Sequence, residues 1–156
     1  MPVRVQCEDF DLSREIAALR AGNPQIGAVA SFVGIARDMN EGSSVQTLTL
    51  EHYPGMTEKV LDDLIVQAKQ RWDIFDALII HRIGTLQPQD QIVLVAVTSR
   101  HREAALTACS FIMDFLKTRA PFWKKEHTAT GERWVAARQS DTQAADAWGT
   151  TKKVAD

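Results

Sequence analysis

Apolar positions in this chain recur at two periods, and the switches between them divide it into elements. Val3 to Gln6 alternates and predicts a short strand. Asp11 or Ser13 can start a helix with Ile16, Ala17 and Leu19 facing inward and Gly22 ending it. The run IGAVASFVGIA, Ile26 to Ala36, predicts a long strand in which Gly27 and Gly34 mark a bulge or a close approach of backbone or ligand. Arg37 and Asp38 stand at its end. Beyond a loop with Asn40 and Gly42, Val45 to Tyr53 alternates again and predicts a second strand, paired antiparallel with the first.

Pro54 and Gly55 interrupt that strand, and Thr57 is the expected cap of a helix reaching Trp72, with Val60, Leu61, Leu64, Ile65 and Ala68 inside. Phe75 to Ile83 and Ile92 to Thr98 read as strands joined through a turn containing Pro88, and Ser99 is placed to cap the next helix. Ala105, Ala108, Cys109, Ile112, Phe115 and Leu116 form that helix's inner face, and Pro121 stops it near Arg119. Thr130 and Gly131 predict a hairpin turn before a last strand from Arg133 to Ala137. A tail from Ser140 carries Trp148 and is expected to be helical for a turn or two, with about 149–156 a polar, frayed end. Hairpins mixed with helix crossovers predict an α+β fold around a mostly antiparallel sheet.

The densest chemistry lies between His101 and Glu126. His101 and Arg102 fall in the first turn of the helix, where the macrodipole disfavours cations, so an anion is the expected partner. Met113 lies one turn before Lys117, at the edge of the buried face. The proline turn and the apolar Phe122 and Trp123 would let Lys117 and Lys124 approach one another. Such clusters are commonly solvated surface, but cations set among large apolar groups have a lowered proton affinity suited to acid, base or nucleophile work.

Composition narrows the partners. A chain of 156 residues is expected to form one domain with a substantial core, and 45% hydrophobic with 24% charged residues is the balance of a globular protein. A net charge of −2 disfavours a nucleic-acid backbone as ligand and leaves the local cations for a small anion. Cys7 and Cys109 lack metal-site spacing, and His52, His81, His101 and His127 form no HxxxH, so no metal site and no cofactor are expected. The N-terminus lacks the pattern of a signal peptide and no apolar stretch is long enough to span a bilayer, which predicts a cytoplasmic protein without membrane contact. Dinucleotide, P-loop and serine-hydrolase motifs do not occur.

Single polar groups remain open to two readings. Arg37 can form a surface ion pair with Asp38 or Glu41, or contact a ligand. His52 and His81, inside apolar strands, read as satisfied core or interface groups, whereas His101 beside Arg102 is the better functional candidate. Arg138 reads first as a structural ion pair, and Trp123 and Trp134 as packing residues.

The segments GIARD (34–38), TLEHYPGMTEK (49–59), IIHRIG (79–84), VTSRHR (97–102) and LKTRAPFWKKE (116–126), in this order, resemble the large, catalytic subunit of molybdopterin synthase from about Ile26 to Trp148. The resemblance implies an α/β hammerhead fold, a central homodimer, and a small ubiquitin-like sulfur carrier at each end of a heterotetramer. It further implies that the carrier's Gly-Gly tail ends in a thiocarboxylate whose sulfur passes to cyclic pyranopterin monophosphate, in two rounds, to form the dithiolene of molybdopterin. By resemblance Lys117 and Lys124 take the essential lysine positions, His101, Arg102 and Arg37 the anion- and pterin-binding ones, and Lys125 and Arg138 supporting ones. A non-catalytic adaptor that holds a peptide tail on a sheet edge, and a phosphoryl-transfer or hydrolytic enzyme using the same cations, are the competing readings.

Overall fold

The computed structural model describes residues 2–40, 43–129, 131–135 and 143–148. Its elements run β1 (Val3–Gln6), α1 (Leu12–Arg20), β2 (Ala28–Ile35), β3 (Met39–Asn40), β4 (Ser43–His52), α2 (Met56–Arg71), β5 (Ile74–Arg82), β6 (Gly84–Leu86), β7 (Gln91–Ser99), α3 (Arg102–Arg119), β8 (Phe122–Thr128) and β9 (Gly131–Val135), followed by a short helix α4 at 143–148. The strands form two sheets. One has the order β1-β5-β7-β2, parallel only between β1 and β5; the other has the order β3-β4-β8-β9 with β6 also paired to β4, all antiparallel. The expected α+β architecture is what forms.

β5 and β7 lie at the centre of the first sheet and are apolar on both faces, as a strand covered on both sides must be. Ala77, Ile79, Val93, Val95 and Val97 face α2 and α3, where Leu61, Leu64, Phe111 and Ile112 complete the main core. Their alternate neighbours Leu78, Ile80, Leu94 and Ala96 face the other way, against Phe10 and the α1 residues Leu12 and Leu19. The predicted inner face of α3 is buried throughout, and Phe111 and Met113 join it. Burial in that face pushes the Cys109 thiol up to about 11, which makes it an inert core group.

Three local expectations are corrected. β2 and β4 do not pair: β2 runs along β7 from Ala28 opposite Ser99 to Ile35 opposite Gln91, while β4 takes β3, β6 and β8 as partners. Alternation specifies a strand and its faces, not its neighbour. Thr57 does not cap α2, which starts at Met56 after Gly55 (φ +85°); the Thr57 hydroxyl instead donates to the Tyr53 carbonyl at 2.7 Å, and Glu58 accepts from the Gly55 amide. Ser99 remains in β7, and the N-cap of α3 is His101. The Ser99 hydroxyl holds the turn between them, donating to the Asp73 carbonyl and accepting from the His101 amide. Asp11 does cap α1, accepting from the Arg14 amide.

Gly27 and Gly34 mark what their positions predict. A Cβ on Gly27 would sit 2.2 Å from the Arg100 carbonyl oxygen, and one on Gly34 2.7 Å from Val93, where the β2–β7 register shifts.

Candidate active site

α3 packs along β7 and runs back toward the start of that strand, so Lys117 leaves the helix near the end of the sheet where β5 finishes and β7 begins. Lys117 is exposed at the rim, and Met113, one turn earlier, is buried beneath it. Ala120 takes an extended conformation (φ −67°, ψ 134°) ahead of Pro121, which turns the chain into β8.

β8 then sorts its side chains by alternation. Phe122, Lys124 and Glu126 share one face, opposite His52, Leu50 and Leu48 of β4, while Trp123, Lys125 and His127 share the other. Phe122 stacks on the His81 ring, 3.8 Å between centroids at 17°. His81 is only 4% exposed, and its Nδ1 lies 2.8 Å from the Arg82 carbonyl oxygen. The proton affinity of this imidazole is pushed down to about 4, chiefly by burial; the bond to Arg82 opposes the shift, and the electrostatic influence of Lys124, Lys117 and His52 adds to it. Lys117 and Lys124, seven positions apart, thus act on one buried ring.

Glu126, 5% exposed, is bound to Arg133 at 2.8 Å. Lys125 stands on the opposite face, 3.4 Å from Glu132 and 4.8 Å from the centre of the Trp134 ring. Trp134 is 56% exposed rather than packed, and Trp123 lies against Tyr53 with its indole N–H donating to Glu51. Arg37 is exposed just past β2, where the Ala36 backbone bonds with Asp90 and Gln89 at the start of β7; it therefore shares the sheet end of Lys117.

His101 and Arg102 do not. They lie at the other end of α3, where Gly27, Arg100, His101, Arg102 and Glu103 line an open cleft of about 380 Å³. Both are exposed, and the first turn of the helix presents its amides beside them. Lys117 follows His101 by sixteen positions, about 24 Å along the axis at about 1.5 Å per residue. One chain therefore holds two cationic groups, at opposite ends of one helix. Arg138 lies outside the described residues.

The residues that sequence reasoning did not assign to the site are His81 and Phe122. The available signal was a histidine inside the apolar run IIHRIG, read as core. It is core, with Phe122 stacked on it and the charges of Lys117 and Lys124 acting on it.

Together these features define an α+β protein whose sheet end holds a buried neutral imidazole acted on by the charges of two lysines, with a second cationic cleft at the far end of the same helix. A family model described as MoaE protein matches residues 5–119. The molybdopterin synthase catalytic subunit of Ralstonia nicotianae is 65% identical over 94% of this chain and 84% of its own length. Among solved structures, the molybdopterin biosynthesis MoaE protein from Burkholderia ambifaria MC40-6 superposes with a TM-score of 0.81 at 55% identity, over 94% of this chain and 97% of that one. Molybdopterin synthase from Staphylococcus aureus superposes equally well, at 0.81, with 31% identity over 87% and 98%. The chain belongs to the MoaE family, the family of molybdopterin synthase catalytic subunits.

Proposed function

We propose that this chain is the sulfur-transferring subunit of a two-component synthase. It acts with a small ubiquitin-like carrier whose Gly-Gly tail ends in a thiocarboxylate, and it passes that sulfur, in two rounds, to cyclic pyranopterin monophosphate. Two copies of the chain form the core of a heterotetramer in the cytoplasm, and residues 1–156 act as one domain. The observation that carries the reading is the 65% identity to a molybdopterin synthase catalytic subunit over 94% of the chain, in which Lys117 and Lys124 both act electrostatically on the buried ring of His81.

The chemistry explains why cations are needed. Substrate phosphate and donor thiocarboxylate are both anionic, and two such charges about 4 Å apart repel by about 4 kcal/mol at an effective dielectric near 20. In this reading Lys117 transfers a proton or stabilises the tetrahedral intermediate as the carrier leaves, and Lys124 holds the tail and the developing charge. Arg37, His101 and Arg102 bind the anionic end of the pterin, with Met113, Lys125 and Arg138 in support. The length of α3 favours a shared site, in which His101 and Arg102 of one copy serve the lysines of the other.

The test is dithiolene formation from cyclic pyranopterin monophosphate and thiocarboxylated carrier. The unaltered chain should give product, and Lys117→Ala should lower the rate at least about a hundredfold. A chain that binds the carrier and yields no product would be an adaptor instead.

A further inference from the structure

β2 is an edge strand that carries none of the usual protection of an edge. Ala28–Ile35, AVASFVGI, pairs with β7 on one side, and among the described residues no strand pairs with the other. An open edge presents unpaired amides and carbonyls, which proteins ordinarily blunt with charge, proline or a very short strand. The other sheet edges follow that rule: β1 is four residues long and carries Arg4, β3 is two residues long, and β9 carries Glu132 and Arg133. β2 has eight residues, no charge and no proline, and Phe32 and Ile35 are 41% and 46% exposed along it.

The two ends of β2 coincide with the two cationic groups. Gly27, just before the strand, lines the cleft with Arg100, His101 and Arg102. Arg37, just after it, shares the sheet end of Lys117. Ala28 to Ile35 spans about 24 Å at about 3.4 Å per residue, which matches the length of α3 between His101 and Lys117.

We propose that a second copy of this chain docks here, β2 against β2, antiparallel about a two-fold axis at Phe32. Such an axis sets the strand against its own reverse, so Phe32 meets Phe32. Arg37 follows Phe32 by five positions and Gly27 precedes it by five, so Arg37 of one copy lies opposite Gly27 of the other. His101 and Arg102 of each copy thereby reach the Arg37 and Lys117 of its mate. The groups that one chain holds apart form one site at each end of the seam. A foreign strand could satisfy the edge amides equally well, but only a copy brings the missing cations. Gathered together, these cations repel until an anion lies among them, so pairing and the anionic substrate support one another.

This inference rests on the reading of the chain as a synthase with paired catalytic subunits, and the experiment separates the two. In a Cys7→Ser background, which removes the exposed thiol and leaves the buried Cys109, Phe32→Cys is oxidised with diamide and run on a non-reducing gel. Leu106→Cys, at a position 60% exposed on α3, is the control. Residues directly opposed on antiparallel strands have Cα atoms about 4.5 to 5.5 Å apart, within reach of a disulfide. Phe32→Cys should therefore link into a dimer, and Leu106→Cys should not. Phe32→Glu sets two carboxylates against each other on the axis and should sediment as a monomer where the parent is a dimer. Its turnover of cyclic pyranopterin monophosphate with thiocarboxylated carrier should fall at least about tenfold, as each site loses the cations of the other copy. If Phe32→Cys links no faster than Leu106→Cys, if Phe32→Glu pairs as tightly as the parent, or if the parent is a monomer, the inference is overturned, and the parent's turnover decides the synthase reading by itself. Linked Phe32→Cys with a parent that turns nothing over would keep the seam and overturn the synthase reading.

Discussion

Lys124 and Lys125 are adjacent in the chain and stand on opposite faces of β8. Lys124 lies opposite Leu50 and Val135 on the side of Phe122 and His81; Lys125 lies opposite Thr49 and Trp134, its ammonium over the Trp134 ring and beside Glu132. Two lysines of equal charge should therefore respond unequally to removal. Lys124→Ala is expected to slow dithiolene formation at least about a hundredfold, the scale of a lost group at the reacting centre. Lys125→Ala should cost less than about tenfold, since its exposed ion pair is worth little. Steady-state rates of the two variants check the order, and a larger loss at Lys125 would refute the roles assigned to the two lysines.

The buried imidazole of His81 ties stability to pH. Its folded proton affinity, near 4, lies below the ordinary histidine value of 6.5, so between those values the unfolded chain binds a proton that the folded chain refuses. Stability should fall as pH drops from about 6.5 to about 4, by at most about 3 kcal/mol from this group, and its contribution should be flat below that. Asp9 acts in a lower window. Its carboxyl is held below the usual range chiefly by the Gln91 side chain, so its support is lost on further acidification, as the carboxylate protonates. Urea midpoints of the parent and His81→Phe across pH 4 to 7 test this: the variant should show the shallower decline, and parallel curves would exclude His81 as the source.

Much of this was legible in the sequence, and the failures share a cause. The helical spacing of Ala105 to Leu116 identified the buried face of α3, and Pro121 its end, because both depend on residues close in the chain. The partner of β4 depends on a segment some seventy positions away, which alternation cannot name. The caps failed where two hydroxyls served other bonds: Thr57 turned to the Tyr53 carbonyl and Ser99 to the Asp73 carbonyl. At the site, the proline turn predicts that Lys117 and Lys124 approach one another, and both charges act on the ring of His81. What packs on His81 was not legible, since a histidine in an apolar strand does not name its neighbour; only the meeting of β5 and β8, which sets Phe122 against the ring, does.

α4 docks through Trp148 and the buried Ala145. The Trp148 indole N–H donates to Asp114 at 2.6 Å, its ring meets Trp72 and Phe111 edge-on, each with centroids 5.5 Å apart, and its carbonyl accepts from Arg71. The Arg71 guanidinium lies over the rings of Phe111, Trp72 and Trp148 at 4.8, 5.1 and 5.8 Å. Removing the indole opens that stack and leaves Asp114 without its donor. Trp148→Ala should cost about 2 to 3 kcal/mol, and Trp148→Phe, which keeps a ring but not the donor, about 1 kcal/mol. Chemical denaturation measures both; equal losses would assign the whole effect to the lost hydrogen bond.

The length of α3 makes a prediction about subunits. If His101 serves the lysines of its own chain, about 24 Å away along the helix, a chain lacking His101 and a chain lacking Lys117 are both broken at every site, and mixing them restores nothing. If a two-fold pair of chains shares its sites, a mixed pair has one site that lacks both groups and one that has both. Random pairing of equal amounts makes about half of the pairs mixed, so about a quarter of all sites are whole, a figure that follows from the two-fold symmetry alone. His101→Ala and Lys117→Ala, each nearly inactive, should therefore recover about a quarter of the parent's rate after unfolding and joint refolding with carrier present. Recovery that fails, while sedimentation shows mixed pairs, would place each site within one chain and require α3 or its neighbours to rearrange.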